Sequence, residues 1–368
     1  MFPLPELSNY DRINYSALFK VDDKRFVRDQ NWYWSSLLDT NTQFIHKMNR
    51  YGFRDKEWEI LKPKGKQRIM VVGDSFVEGI MSSQEKTIPK GLKKADAKGD
   101  LEVMNCGMMG ISLNEYLKFI THSVPVFKPD LVVLCLFTND FFLDSIIFPN
   151  TDLQPQYYNT YYPRLFELSR QIKKGSPVKW RWSFDAKPFI PYVPRKANPW
   201  TDHADVLKEH VSSNVIPHMK KGTLNPYRTN QLFAEEKKLS RKISFYKALS
   251  YLKNFLSKHK TKFAVVYIPA RHLITNHYFQ YDRQACLKLC DDNMSFLNQK
   301  YHQHYLDLES DCGQLNIPYY DLLGFVRKNE KSGKHLYWNY DDHMRGSSYL
   351  KIGCLIHDFL KKEKLLSN

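Results

Sequence analysis

Four short blocks carry residue types that together could perform acyl transfer. Gly73-Asp74-Ser75 follows the apolar run Arg68-Ile69-Met70-Val71-Val72, which places a hydroxyl on a strand-to-helix turn. A serine hydroxyl is a weak nucleophile until a base takes its proton, so a histidine must approach from elsewhere. Of thirteen histidines, His343 stands in Tyr340-Asp341-Asp342-His343, where a neighbouring carboxylate could fix its tautomer and stabilise the imidazolium. Donors for a developing oxyanion are available in Asn105-Cys106-Gly107-Met108-Met109-Gly110 and Thr138-Asn139-Asp140, each following an apolar run. The Gly110 N–H and the Asn139 amide would join the Ser75 N–H as three donors.

Taken singly, each block has a plainer use. Gly-Asp-Ser makes ordinary turns, Asn139-Asp140 suits a turn or helix cap, and Gly110 suits a backbone conformation closed to other residues. His343 could cap or pack at the start of a final helix, with Asp341 and Asp342 favouring that helix's positive end. Their common position after successive strands favours the catalytic use.

The elements that must position these blocks are legible as apolar patterns. Short runs at Arg68 to Val72, Leu101 to Asn105, Leu131 to Phe137, Phe263 to Ile268 and Ile317 to Asp321 predict five buried parallel strands. Helical spacing falls between and after them at Leu113 to Phe127, Leu239 to His259, Arg283 to Cys312 and Ser347 to Lys362. Strand and helix alternate, which predicts a doubly wound α/β sheet with ligands beyond the carboxyl ends of its strands. Residues 1–65 read as an N-terminal extension packed on a core domain of residues 66–368. The Pro- and aromatic-rich interval 148–235 breaks the alternation and reads as a lid or substrate-side insertion.

The blocks, in order Gly73-Asp74-Ser75, Asn105-x-Gly107-x-x-Gly110, Thr138-Asn139-Asp140 and Asp341-x-His343, resemble those of the GDSL/SGNH hydrolase superfamily from about Arg68 to the C-terminus. That resemblance implies a flavodoxin-like three-layer α/β/α fold with a five-stranded parallel sheet. It also implies a triad of Ser75, Asp341 and His343, and an oxyanion hole of Ser75, Gly110 and Asn139. Many members place the acid three residues before the histidine, where this chain has Tyr340. The shorter Asp341-x-His343 spacing is similar to the alginate-acetylation branch, with Asp342 as the alternative acid. Met344-Arg345-Gly346-Ser347-Ser348 lacks the Asn and later Gly usual after the histidine. Tyr51-Gly52-Phe53-Arg54-Asp55 also looks like a subgroup of bacterial SGNH proteins, some resembling polysaccharide-acetylation enzymes. The activity implied is a serine esterase working through an acyl-serine on O-acyl or O-acetyl groups of a carbohydrate. An O-acetyltransferase with the same triad and a non-catalytic glycan-binding protein are the alternatives.

Composition narrows the partners. Across 368 residues, 55 Lys plus Arg against 39 Asp plus Glu give a formal charge of +16, which favours anionic neighbours. No nucleic-acid motif accompanies that charge, so an anionic glycan or a membrane surface is preferred, with Trp180 and Trp182 as interfacial anchors or sugar platforms. No window reaches the roughly 18 apolar residues of a spanning helix. Cysteines 106, 135, 286, 290, 312 and 354 form no framework, which predicts reduced thiols and neither metal nor cofactor. No secretory leader is evident; a leader or anchor missing from the chain would imply the bacterial periplasm or envelope, and otherwise the cytoplasm is expected. Oligomeric state is left open.

Overall fold

The computed structural model describes residues 31–34, 39, 42, 44–142, 146, 148, 245–278, 303–339 and 341–367. Strands β1 (Asn31–Trp34) and β2 (Phe44–Lys47) form an antiparallel ribbon. The main sheet holds β3 (Gln67–Gly73), β4 (Leu101–Gly107), β5 (Leu131–Phe137), β6 (Lys262–Ile268) and β7 (Tyr319–Asp321). Its spatial order is β4-β3-β5-β6-β7, parallel throughout, so the first main-sheet strand lies second and the chain winds outward from it in both directions. That is the flavodoxin-like strand order, with a switch point between β3 and β5.

Around the sheet lie α1 (Ser75–Glu78), α2 (Ile88–Ala95), α3 (Leu113–Phe127), α4 (Tyr246–Lys258), α5 (Gln303–Gln314), α6 (Leu323–Lys331) and α7 (Gly346–Lys362). Strand side chains alternate between two cores, as their period of two requires. Met70, Val72, Val132, Leu134, Leu136, Val265 and Tyr267 face α3, α4 and α5. Ile69, Val71, Leu131, Val133, Cys135, Ala264 and Val266 face α1, α2, α6 and α7. The three-layer arrangement expected from the sequence is therefore present.

Local chemistry sets the element ends. Helix α3 starts at a capping box in which Ser112 N and Oγ both donate to Glu115 Oε2, at 3.0 and 2.8 Å. Strand β7 starts at Tyr319 rather than Ile317. The Ile317 N–H turns back to Cys312 O at 2.9 Å to close α5, and Pro318 has no N–H to give a ladder. The expected helix over 283–312 is present from Gln303 to Gln314; residues 283–302 lie outside the described residues, as do 239–244 of the expected helix over 239–259. Most of the 148–235 insertion, with Trp180 and Trp182, and Cys286 and Cys290 also lie outside them. Among the described residues, Cys106, Cys135, Cys312 and Cys354 are free thiols, and no helix is long and apolar enough to cross a membrane.

Helices α2 and α7 cross at bare backbone. A Cβ on Gly353 would lie 2.2 Å from Ile88 O and 2.6 Å from Gly91 Cα. Gly353→Ala is expected to push the helices apart at a cost of about 1–3 kcal/mol. Thermal denaturation checks it.

Candidate active site

Ser75 opens α1 directly after β3. The turn holds because Asp74 caps the helix, its Oδ1 accepting the Phe76 N–H at 2.9 Å, and because Gly79 ends it at φ +85°. Short strand-to-helix turns of this kind present a side chain at the carboxyl edge of the sheet. The helix seats directly on β4: a Cβ on Gly107 would lie 2.1 Å from Glu78 N, so only glycine permits the approach. Thus Gly107 of the Asn105-x-Gly107-x-x-Gly110 block serves packing, while Gly110 occupies the left-handed region at φ +75°.

His343 reaches Ser75 from the loop before α7. Its Nε2 is 2.8 Å from Ser75 Oγ, and its Nδ1 is 2.6 Å from Asp341 Oδ1, which also accepts the His343 N–H at 2.9 Å. Asp342 Oδ1 stands farther away, 3.7 Å from Nδ1. Asp341 is therefore the carboxylate that fixes the ring. Burial alone would lower the His343 pKa, but the Asp341 charge and hydrogen bond, with the charges of Asp342 and Asp74, together raise it above the ordinary imidazole value. Phe76 packs beside the ring at a centroid distance of 5.2 Å and stacks on Phe137 at 3.9 Å.

The loop carrying this pair is itself braced. The buried Arg271 donates through Nη1 to Trp338 O at 2.8 Å, Asn339 O at 2.6 Å and Asp341 O at 3.3 Å. Trp338 Nε1 donates to Met81 O at 3.0 Å, tying the loop to the chain leaving α1.

Asn139 lies in the 3-10 turn Thr138–Phe142 that follows β5, with its side chain against Asp74. Burial raises the Asp74 carboxyl to about 6, against the Phe76 N–H, His343 and Asn139, which favour its charged form. The buried Asp140 accepts the Phe137 N–H at 2.9 Å, and burial with the Asp74 charge raises its pKa strongly. Ser75, Gly110 and Asn139 thus follow three successive strands at one sheet edge, at and beside the switch point.

The N-terminal segment reaches three of these blocks. Arg54, almost wholly buried, donates to Glu78 O and Gly79 O at the end of α1, and to Ile45 O and Ser82 O. Asp55 accepts the Asn105 N–H at 2.9 Å and Trp58 Nε1 at 2.8 Å, and Arg54 O accepts Asn105 Nδ2 at 3.1 Å. Asp39 Oδ2 accepts the Asp341 N–H at 2.7 Å. Tyr51, Phe53 and Trp58 stack together over Phe119 and Phe127 of α3. The sequence marks Tyr51 to Asp55 without these contacts and carries no local signal for His46, Glu78 or Arg271. Arg54→Lys keeps the charge but replaces a planar fork by a point, leaving carbonyls unpaired. Roughly 2–4 kcal/mol of stability is expected to be lost, measurable by denaturant unfolding.

Among the described residues, one group of metal-ligand types converges: Asp341, Asp342 and His343, with ligand atoms within 4.8 Å of one another. Both nitrogens of His343 are already engaged, by Asp341 and Ser75.

No protein-family model matches the chain, and no curated protein does. Among solved structures, a lipase/acylhydrolase from Enterococcus faecalis is similar at 14% identity over 81% of this chain and 96% of that chain, with a TM-score of 0.40. A carbohydrate acetylesterase family member from Sinorhizobium meliloti gives 12% identity, 82% and 100% coverage and a TM-score of 0.37. A psychrotrophic esterase from Pseudoalteromonas sp. gives 12%, 81% and 99%, with 0.34. At such identities and scores the weight rests on the chain's own strand order and block order. By that order the fold is the doubly wound, five-stranded α/β/α fold implied by the resemblance to the GDSL/SGNH hydrolases.

Proposed function

We propose that this protein is a serine esterase that removes O-acyl or O-acetyl groups from a carbohydrate through an acyl-serine intermediate. The observation that carries the reading is the imidazole of His343, with Ser75 Oγ at 2.8 Å on one nitrogen and Asp341 at 2.6 Å on the other. As Ser75 Oγ bonds to the ester carbonyl carbon, its proton passes to His343 Nε2 and the carbonyl oxygen takes the negative charge. The Ser75 N–H, the Gly110 N–H and the Asn139 amide are the donors for that oxygen. Collapse breaks the ester C–O bond, and the proton on His343 goes to the departing sugar oxygen. Water then gives a proton to His343 as its oxygen bonds to the acyl carbon; collapse breaks the acyl carbon–Ser75 Oγ bond, His343 returns the proton to Oγ, and the carboxylic acid leaves.

The carbohydrate part of the reading is supported by the Asp341-x-His343 spacing and the Tyr51 to Asp55 segment, both similar to polysaccharide-acetylation proteins. It is tested by incubating the protein with O-acetylated and deacetylated oligosaccharides and measuring released acetate. Release from the acetylated sugar that exceeds hydrolysis of a matched alkyl acetate supports it. Indifference to the sugar contradicts it, and acetyl transfer to the added deacetylated sugar would instead make the protein an acetyltransferase.

A further inference from the structure

Glu78 is the last residue of α1, three residues after Ser75, and is 2% exposed. Its two carboxylate oxygens are committed to different segments. Oε2 accepts the Met109 N–H at 2.7 Å, and Oε1 lies 2.8 Å from Nδ1 of His46, which is fully buried on β2. Met109 immediately precedes Gly110. The nucleophile's own helix is thus tied, through one side chain, to the loop that carries the proposed oxyanion donor.

The tie belongs to a larger fixed frame. Met108 N–H donates to Gly73 O at 3.1 Å, and Asn105 Oδ1 accepts the Gly107 N–H at 3.0 Å. Beyond Met109 the chain turns at Gly110, where a Cβ would meet nothing within 4 Å. Glu78 therefore anchors this loop at the residue immediately before the left-handed glycine. Burying a carboxylate is costly unless its oxygens are satisfied, and here both are spent on the loop and on the N-terminal segment. Burial pushes the Glu78 pKa up to about 7, opposed by the Arg54 charge and the Met109 N–H. Burial, with Arg54 and His343, holds His46 well below the ordinary value, so the ring facing Glu78 is neutral.

We propose that Glu78 is a positioning residue of the oxyanion hole: it holds the Met109 N–H and so sets the Gly110 N–H relative to Ser75, while His46 of the N-terminal segment holds Glu78. The inference rests on the serine-esterase reading above and names a further part of the same site. On this account the N-terminal segment completes the active site rather than merely covering the core.

Reach and charge can be separated. Glu78→Gln keeps the length: its oxygen accepts the Met109 N–H and its amide donates to the other tautomer of His46. Glu78→Asp keeps the charge but is one methylene too short. The full chain is assayed on p-nitrophenyl acetate, with folding followed by circular dichroism and Ser75 labelling by a fluorophosphonate. Glu78→Asp is expected to lose roughly tenfold to a hundredfold in kcat, less than the full loss of an oxyanion donor, with KM changed by less than about twofold. Glu78→Gln keeps the greater share of kcat. His46→Leu, which frees one oxygen without shortening Glu78, gives a smaller kcat loss of the same kind and serves if Glu78→Asp does not fold.

The proposal is overturned if Glu78→Gln is the more damaged of the pair, since charge on His343 would then be the function. It is equally overturned if the losses follow only the folded fraction, or if Glu78→Asp and His46→Leu retain wild-type kcat. A wild-type chain that neither turns over ester nor labels at Ser75 overturns the esterase reading itself, and the inference with it. Wild-type turnover that is lost in Ser75→Ala keeps the two questions apart.

Discussion

Ser75→Ala lowers kcat for ester hydrolysis by about a millionfold, leaving only the modest acceleration that binding and oxyanion donors provide. The size follows from chemistry rather than stability. Without Oγ no acyl-enzyme forms, and His343 Nε2 has no proton to take at the position 2.8 Å away where the hydroxyl stood. The fold loses about one hydrogen bond, worth about 1 kcal/mol, so the variant remains folded and still binds substrate. Initial-rate kinetics alongside circular dichroism measure both halves. A variant that folds and retains even a hundredth of the turnover would show that another group does the work.

Asp341→Asn is the second large effect, about ten-thousandfold in kcat by analogy with triads of this geometry. The Asn amide can donate to Nδ1, which forces the proton onto Nε2, where it can no longer accept from Ser75. The change also moves the pH profile, in a direction fixed by the cause of the His343 shift. The base works only when neutral, so activity is present above its pKa and is lost as pH falls through it. In the native protein that pKa is raised, because Asp341, with smaller contributions from Asp342 and Asp74, acts against burial. The acid limb of kcat/KM therefore lies above the ordinary imidazole value of 6.5. Removing the Asp341 charge leaves burial opposed only by the smaller effects of Asp342 and Asp74, and the acid limb of the residual activity moves to lower pH. Asp342→Asn, whose oxygen is 3.7 Å from Nδ1, is expected to change both far less.

Much of this architecture is written locally in the chain. Leu131–Phe137 reads as a strand buried on both faces and is buried at every position, and Leu113–Phe127 reads as a helix to the residue. Two short helices are not legible that way. Helix α2, IPKGLKKA, sends only Ile88 and Leu92 into the core and meets α7 through the backbone at Gly91, so its apolar signal is two residues long. Helix α6 buries Leu323, Val326 and Glu330 in a lysine-rich segment, and Glu330 is there for Tyr278, at 2.8 Å from its hydroxyl.

The pairing of Ser75 with His343 was legible because residue order limits the choices: Ser75 stands on a turn after the first main-sheet strand, and His343 stands beside two carboxylates just before the last helical segment. Sequence left the choice between Asp341 and Asp342 open; in space Asp341 lies nearer His343 Nδ1 by 1.1 Å, at 2.6 against 3.7 Å. The supporting shell was illegible for a different reason. Asp39 meets Asp341 across 302 positions, His46 meets Glu78 across 32, and Arg271 meets Asp341 across 70. Nothing local distinguishes a buried histidine or arginine that braces a distant loop from one that caps its own.

The central claim is that Ser75 is an activated nucleophile, and the most direct measurement is covalent capture. The purified full chain is treated with a fluorophosphonate, weighed intact and mapped by peptide mass. The account predicts a single adduct on the peptide containing Ser75, absent from Ser75→Ala and formed far more slowly in His343→Ala. No adduct, or an adduct that persists in Ser75→Ala, would contradict it.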